Sequence, residues 1–399
     1  MSSSSTTAPA THLWIDSTNE LRAALRSHEG APFYALDTEF VSGTTYRPIL
    51  AVVQLAIEGK IYLVDALACD LAVLAELLAG PGTMIAHAAQ ADLELLEHHC
   101  KVKPTKLFDT QIAGQLLGLR SPSLATSVSV ELGVELDKSE RLTDWTARPL
   151  PKPARRYAAL DVAYLEELYQ RYTAQLDALG RVDWCAEECG RLRRAPRAER
   201  SADDAWLKVK GASGLGGETR KLLRAAAAWR DELAQRLNQI PHRVIADDAL
   251  VELAKRPPTT TAQLKKLRAG ARLRDGELSS LLAVLAAAPA GPAADPVREP
   301  RLSRDLEALT NLLATCVLQL GRDAGIDPTL IATKADITTL VAKEPSRLDV
   351  GWRALSVAPA LRAIIDGQAT IRVTDAGRSL EITDVSSGAP LGLIRPPAA

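Results

Sequence analysis

Asp37 and Glu39 stand two residues apart in Phe33-Tyr34-Ala35-Leu36-Asp37-Thr38-Glu39-Phe40, a run whose apolar flanks predict a central strand. Period-two geometry turns both carboxylates to one face of it. Buried side by side, they repel each other and resist losing water unless a cation compensates them. The alternative is a pair at the strand's end, facing solvent or an arginine. Asp92 follows His87-Ala88-Ala89-Gln90-Ala91 in the first turn of a predicted helix, where an acid also serves the helix dipole. Tyr157 and Asp161 are four apart and share one face of another predicted helix. A tyrosine packed on the core beside a solvated acid is the simpler account of that pair taken alone. Four carboxylates converging on one place, however, suit hard divalent cations, which take oxygen ligands and keep several waters. Two such ions can activate a water and stabilise the leaving oxygen of a phosphodiester. No Ser-His-Asp order, phosphate-binding lysine loop or zinc ligand set competes, and the glycine run from Gly211 to Gly217 lacks both the lysine and a preceding strand.

The elements that must position these residues are legible in outline. Residues 33–40, 50–57 and 60–65 read as strands, with Glu58-Gly59 as the turn between the last two. A helical stretch over 70–79 is stopped by Gly80-Pro81-Gly82. Residues 83–86 form a short strand, 89–100 a helix and 105–109 a fifth strand, after which helical patterns run to about 195. Strands in a mixed sheet followed by packed helices indicate an α/β domain. Residues 191–204 are charged without apolar periodicity and read as a linker. Beyond them Leu222, Ala226, Trp229, Leu233 and Leu237 make a helical stripe that ends at Ile240-Pro241. Asp247 or Asp248 is expected to cap a short helix closed by Pro257-Pro258, and 285–300 reads as a second linker. Val244-Ile245-Ala246-Asp247-Asp248-Ala249 is echoed 86 residues on by Leu330-Ile331-Ala332-Thr333-Lys334-Ala335, the mark of a duplicated small helical domain. Residues 369–384 suggest a β-hairpin around Asp375-Ala376-Gly377.

The chain has 399 residues, enough for two or three domains, with 47% apolar and 24% charged side chains. Its net charge of −1 conceals an asymmetry. Residues 1–200 carry 21 basic and 26 acidic side chains, residues 205–280 carry 15 and 8, and residues 281–399 carry 12 and 13. A basic segment beside an acidic one is the charge pattern of a nucleic-acid module next to something else. Its clustered cations are Lys265, Lys266, Arg268, Arg272 and Arg274. No uncharged apolar run reaches the ~20 residues of a membrane span, and Met1 to Thr7 lacks the features of a signal peptide. A cytoplasmic protein without a membrane partner is therefore expected. The five cysteines, Cys69, Cys100, Cys185, Cys189 and Cys316, are scattered. Cys185 and Cys189 can share a helix face but have no second pair beside them, so reduced thiols are expected rather than structural zinc.

Asp37-Thr38-Glu39-Phe40, His87…Asp92-Leu93-Glu94 and Tyr157-x-x-x-Asp161 resemble the three exonuclease motifs of the DEDD superfamily in its tyrosine branch, the ribonuclease D family in particular. Phe108-Asp109-Thr110-Gln111 and Leu136-Asp137-Lys138-Ser139…Asp144-Trp145…Arg148-Pro149-Leu150 are similar to further stretches of that family. Trp229-Arg230-Asp231-Glu232 and Pro241…Val244…Asp247…Leu250…Leu253-Ala254…Pro257 resemble the helicase-and-RNase-D C-terminal (HRDC) domain, and Gly351-Trp352-Arg353 follows its echo. The likeness runs over about residues 12–367. It implies a ribonuclease-H-like α/β exonuclease domain with a mixed central sheet at 12–195, a basic, RNA-binding HRDC domain at 211–290, and a second, all-α HRDC-like domain at 298–367. A tail at 368–399 receives no role.

The resemblance also implies roles. Asp37, Glu39, Asp92 and Asp161 would hold two divalent ions, Mg²⁺ or Mn²⁺, with Asp37 bridging them, and Tyr157 would orient the attacking water. RNA contacts would fall to Phe40, His87 and Arg148, and to the basic cluster at 265–274. The implied reaction is 3′→5′ exoribonucleolysis releasing nucleoside 5′-monophosphates, on structured RNA such as transfer RNA precursors with 3′ extensions, by a monomer. A 3′→5′ DNA exonuclease, or an RNA-binding protein that kept the fold without catalysis, are the competing readings. The second fits poorly with four intact acids.

Overall fold

The computed structural model describes residues 11–136, 143–195, 202–288 and 304–392. Asp137-Lys138-Ser139, most of the linker expected at 285–300, and residues 298–303 and 393–399 lie outside them.

Six strands make the main sheet: β1 His12–Ile15, β2 Phe33–Val41, β3 Ile49–Ile57, β4 Lys60–Asp65, β5 Thr83–Ala86 and β6 Lys106–Asp109. Their order is β1-β4-β3-β2-β5-β6. Pairing is parallel for β1 with β4, β2 with β5 and β5 with β6, and antiparallel for β3 with β4, so the sheet is mixed as expected. The strand β1 and the helix after it, α1 (Thr18–Arg26), precede the first strand read from sequence. β1 has only four residues, and its partner, Ile61 to Val64, lies almost fifty residues downstream.

The helices of this part are α2 Ala75–Ala79, α3 Gln90–Cys100, α4 Thr110–Leu116, α5 Leu124–Leu132, α6 Lys152–Ala163, α7 Leu165–Ala178 and α8 Val182–Arg194. One sheet face, carrying Ala35, Ala56, Ile61, Ile85 and Phe108, packs on Val162 and Leu165 of α6 and α7. Asp37 and Glu39 continue the same alternation along β2 and so face α6. The charged run expected to open a linker at Arg191 is instead the last turn of α8, where cations suit the helix dipole.

Residues Phe40–Ile49 and Pro196–Glu299 form one compact unit. Its helices are α9 Gly217–Arg236, α10 Pro241–Val244, α11 Asp247–Lys255, α12 Thr261–Lys266 and α13 Asp275–Ala286. Leu222, Ala226, Trp229 and Leu233 of the α9 stripe are buried in its core. Leu237 is not: it lies just past the last helical turn and is 41% exposed. The cap of α11 is Ala246 rather than either aspartate, because Asp247 is drawn to Arg230, whose Nη1 donates to Oδ1 at 2.7 Å. Within this unit the Tyr46 hydroxyl donates to Oδ2 of the buried Asp231 at 2.6 Å.

The remaining residues, Met1–Glu39, Leu50–Ala195 and Pro300–Ala399, form the other unit. After β6 and α8 its chain resumes with α14 Arg304–Ala324, α15 Pro328–Ile331, α16 Lys334–Val341, α17 Gly351–Ser356 and α18 Ala358–Ile365, then the hairpin β7 Ala369–Thr374 and β8 Ser379–Asp384. Buried residues of α14 to α18 share one apolar core with α4, α7 and α8. Trp184 of α8 stacks on Trp352 of α17 at 4.6 Å between ring centres. Beneath them Glu188 is fully buried, accepting from Arg353, from Trp352 Nε1 at 3.0 Å and from Arg191 at 2.9 Å. Despite its burial, these donors hold its carboxyl down at about 2.

Candidate active site

β2 outruns its neighbour. Its pairing with β5 is Phe33↔Thr83, Tyr34↔Met84 and Ala35↔Ile85, and β5 stops at Ala86. The edge of β2 from residue 37 onward is thereby left for something other than a strand, and the start of α3 supplies Asp92 there. The Thr38 hydroxyl donates to Asp92 Oδ1, and Asp92 is 5% exposed. Asp109 fixes the turn that launches α3: Oδ1 accepts from Ala88 N at 3.1 Å and Oδ2 from Ala89 N at 2.8 Å. Ala88 has φ of +58°, a left-handed conformation that needs such support. The same Asp109 side chain caps α4 through Gln111 N and Ile112 N.

From the opposite side α6 presents Tyr157 and Asp161, one turn apart. Ligand oxygens of Asp37, Glu39 and Asp161 all lie within 4.8 Å of one another. Burial first, then mutual repulsion, raises these carboxyls: Asp37 well above its ordinary value and Glu39 to about 8. Burial takes Asp161 to about 7, and Asp92 to about 6 against the opposing hydrogen bond from Thr38. Such crowding is what a cation between the oxygens relieves, and an all-oxygen donor set fits a hard divalent ion. The Tyr157 ring sits beside the buried Trp145, 6.2 Å between centres.

The other expected site residues are placed as follows. Phe40 is half-buried at the end of β2. His87 has both ring nitrogens engaged, Nδ1 with Thr110 Oγ1 at 2.9 Å and Nε2 with the Pro122 carbonyl at 3.0 Å, and burial lowers its pKa. Arg148 grips Asp65 with Nε and Nη2, each at 2.6 Å, and donates to the carbonyls of Ala51, Trp145 and Ala147. Its guanidinium is spent on holding the segment that leads into α6. Lys265, Lys266, Arg268, Arg272 and Arg274 are exposed in the other unit, where Arg268 meets Asp248 at 2.7 Å and Lys265 meets Asp275 at 3.6 Å. Two positioning residues, Thr38 and Asp109, had no assigned role in the sequence reading. Thr38 is flanked by both acids, and Asp109 stands directly before a helix, which is an N-cap signal.

Residues 13–177 match the 3′-5′ exonuclease family, and residues 219–284 match the HRDC domain. A ribonuclease D of Acidiphilium cryptum is 33% identical over 384 residues, covering 93% of this chain and 97% of that one. One from Sphingobium indicum is 34% identical over 336 residues, covering 81% and 86%. The crystal structure of Escherichia coli RNase D, described as an exoribonuclease involved in structured RNA processing, superposes with a TM-score of 0.77 at 26% identity, over 90% of this chain and 99% of that one. The chain belongs to the ribonuclease D family. Like that family it is a 3′→5′ exoribonuclease. The acidic cluster under α6 has the donor chemistry of a divalent-metal centre.

Proposed function

We propose that Asp37, Glu39, Asp92 and Asp161 would together hold two divalent ions, Mg²⁺ or Mn²⁺. The convergence of Asp37, Glu39 and Asp161 oxygens within 4.8 Å is the observation that carries this reading. When bound, such ions supply the charge that activates a water and stabilises the leaving 3′ oxygen. The chain's own groups do the positioning. Thr38 orients Asp92, and Asp109 holds the turn on which Asp92 is mounted. The part we give Tyr157 is to align the attacking water through its hydroxyl. Nucleoside 5′-monophosphates leave one at a time.

The substrate we assign is structured RNA, transfer RNA precursors with 3′ extensions in particular, processed by a cytoplasmic monomer. No helix among the described residues is long and apolar enough to cross a membrane. We place the nuclease at 12–195 and RNA binding in the domain at 211–290, through Lys265, Lys266, Arg268, Arg272 and Arg274. These cations offset the acidic excess of residues 1–200 by phosphate contacts. The helices within 298–367 serve to pack and shape the molecule. Phe40 keeps its proposed RNA contact. His87 and Arg148 are better read as supports, because their polar atoms are engaged within the protein.

The test is degradation of matched RNA and DNA carrying the same 3′ sequence, with 3′-extended transfer RNA among the substrates. Strong preference for the RNA, ending at the mature transfer RNA end, is expected. Preference for DNA would overturn the substrate assignment.

A further inference from the structure

Cys185 and Cys189 sit one helical turn apart on α8, with their sulfurs 3.9 Å from each other. Neither cysteine is in a disulfide, both are buried at 2% and 1% exposure, and both residues belong to the wall of a groove of about 370 Å³ between β6, α7 and α8. The groove has an apolar wall at Phe108 and Tyr169 and cations at Lys106 and Arg193. It includes Thr83 and Lys106, which open β5 and β6. Asp92 follows the other end of β5, so the groove is separate from the nuclease centre.

We propose that Cys185 and Cys189 form a binding site for a soft, thiophilic cation, Zn²⁺ or Cu⁺. Two thiolates on a tetrahedral ion at ~2.3 Å each are about 3.8 Å apart, close to the spacing already present. Sulfur ligands select such ions over the hard cations suited to the Asp37 cluster. Among the described residues the only group of three or more candidate ligands is Asp37, Glu39 and Asp161, so no third protein donor closes the cysteine site. Its remaining positions stay open to water or an added ligand from the groove. Binding breaks two S–H bonds, forms two sulfur–metal bonds and releases two protons to solvent, with no change of oxidation state.

The site also has a short route to the nuclease. The backbone N–H of Asp109 donates to Cys189 Sγ at 3.2 Å, and the Asp109 carboxylate holds Ala88 and Ala89 at the start of α3. A cation on Cys189 therefore loads the residue that fixes the Asp92 turn, and cleavage slows when the site fills.

The experiment titrates the full chain with Cd²⁺ in excess Mg²⁺ and follows sulfur-to-metal charge-transfer absorption and proton release. Saturation at one Cd²⁺ and two protons per chain is expected. The absorption should vanish in Cys185→Ala and in Cys189→Ala, persist in Cys316→Ala, and be displaced by Zn²⁺ or Cu⁺, the tighter of the two identifying the ion. No sulfur–metal absorption in the wild-type chain overturns the proposal even if an alanine variant fails to fold, as does absorption unchanged in both variants or displaced by neither ion. RNA cleavage should fall on loading the wild type and not on equal treatment of the Cys185→Ala/Cys189→Ala double variant. Equal inhibition of both overturns the coupling to Asp92.

Discussion

The Thr38 hydroxyl donates to the carboxylate of Asp92, so the residue between the two acids of β2 also holds a third acid from a different element. β2 contributes Asp37 and Glu39 on one face, and through the intervening side chain it reaches the start of α3. Thr38→Val keeps the shape and removes the donor. Metal affinity should fall about 10–100-fold, the usual cost of losing an outer-shell hydrogen bond to a ligand. A Mg²⁺ titration of cleavage checks this, with the maximal rate at saturating ion largely recovered.

The raised carboxyls give a pH signature. Glu39 at about 8, Asp161 at about 7 and Asp92 at about 6 bind protons in the folded chain that the unfolded chain has already lost. Their contribution to stability is complete below pH ~4 and disappears as the pH rises through these values. Chelator-treated protein should therefore lose thermal stability between about pH 5 and 8. Added Mn²⁺ should restore it, most at the alkaline end. Melting curves across that range, with and without the ion, make the comparison.

Glu188 behaves in the opposite sense. Its carboxyl is held down at about 2 by its donors, so its stabilisation is present above the ordinary glutamate range and is lost as the pH falls toward 2. At neutral pH Glu188→Gln leaves the buried Arg353 without its anion, at a cost of about 3–5 kcal/mol. Urea denaturation should show this, with the signals of Trp184 and Trp352 in the same transition because they share that core.

Reversing Lys266, Arg272 and Arg274 to glutamate should weaken RNA binding and flatten its salt dependence. Each lost phosphate contact lowers the slope of log affinity against log salt by about 0.7 on single-stranded RNA. Binding isotherms at several salt concentrations measure it, while cleavage of a dinucleotide should change little.

Much of this was open to reading in the chain. Asp37 with Glu39 follows from the two-residue repeat of a strand, and Tyr157 with Asp161 from the helical turn, both local rules. Asp92 could be placed in a helix but not against β2, because that contact depends on β5 ending five residues before β2 does in their shared register. β1 escaped because four residues paired across the sheet leave almost no local pattern. His87 and Arg148 carry the residue types of RNA contacts, and the partners that engage their polar atoms within the protein lie too far along the chain to be read from it. Leu237 fits the α9 stripe by spacing yet lies just past the helix end, where the repeat no longer determines burial.

The most direct measurement of the central claim uses 5′-labelled RNA with a 3′ extension, the wild-type chain and Asp37→Asn, and Mg²⁺ or Mn²⁺, with products resolved to single nucleotides. The wild type should shorten the RNA one nucleotide at a time from its 3′ end and release nucleoside 5′-monophosphates. Asp37→Asn should bind the same RNA and leave it uncut. Cleavage by purified Asp37→Asn at a rate near that of the wild type would contradict the metal assignment.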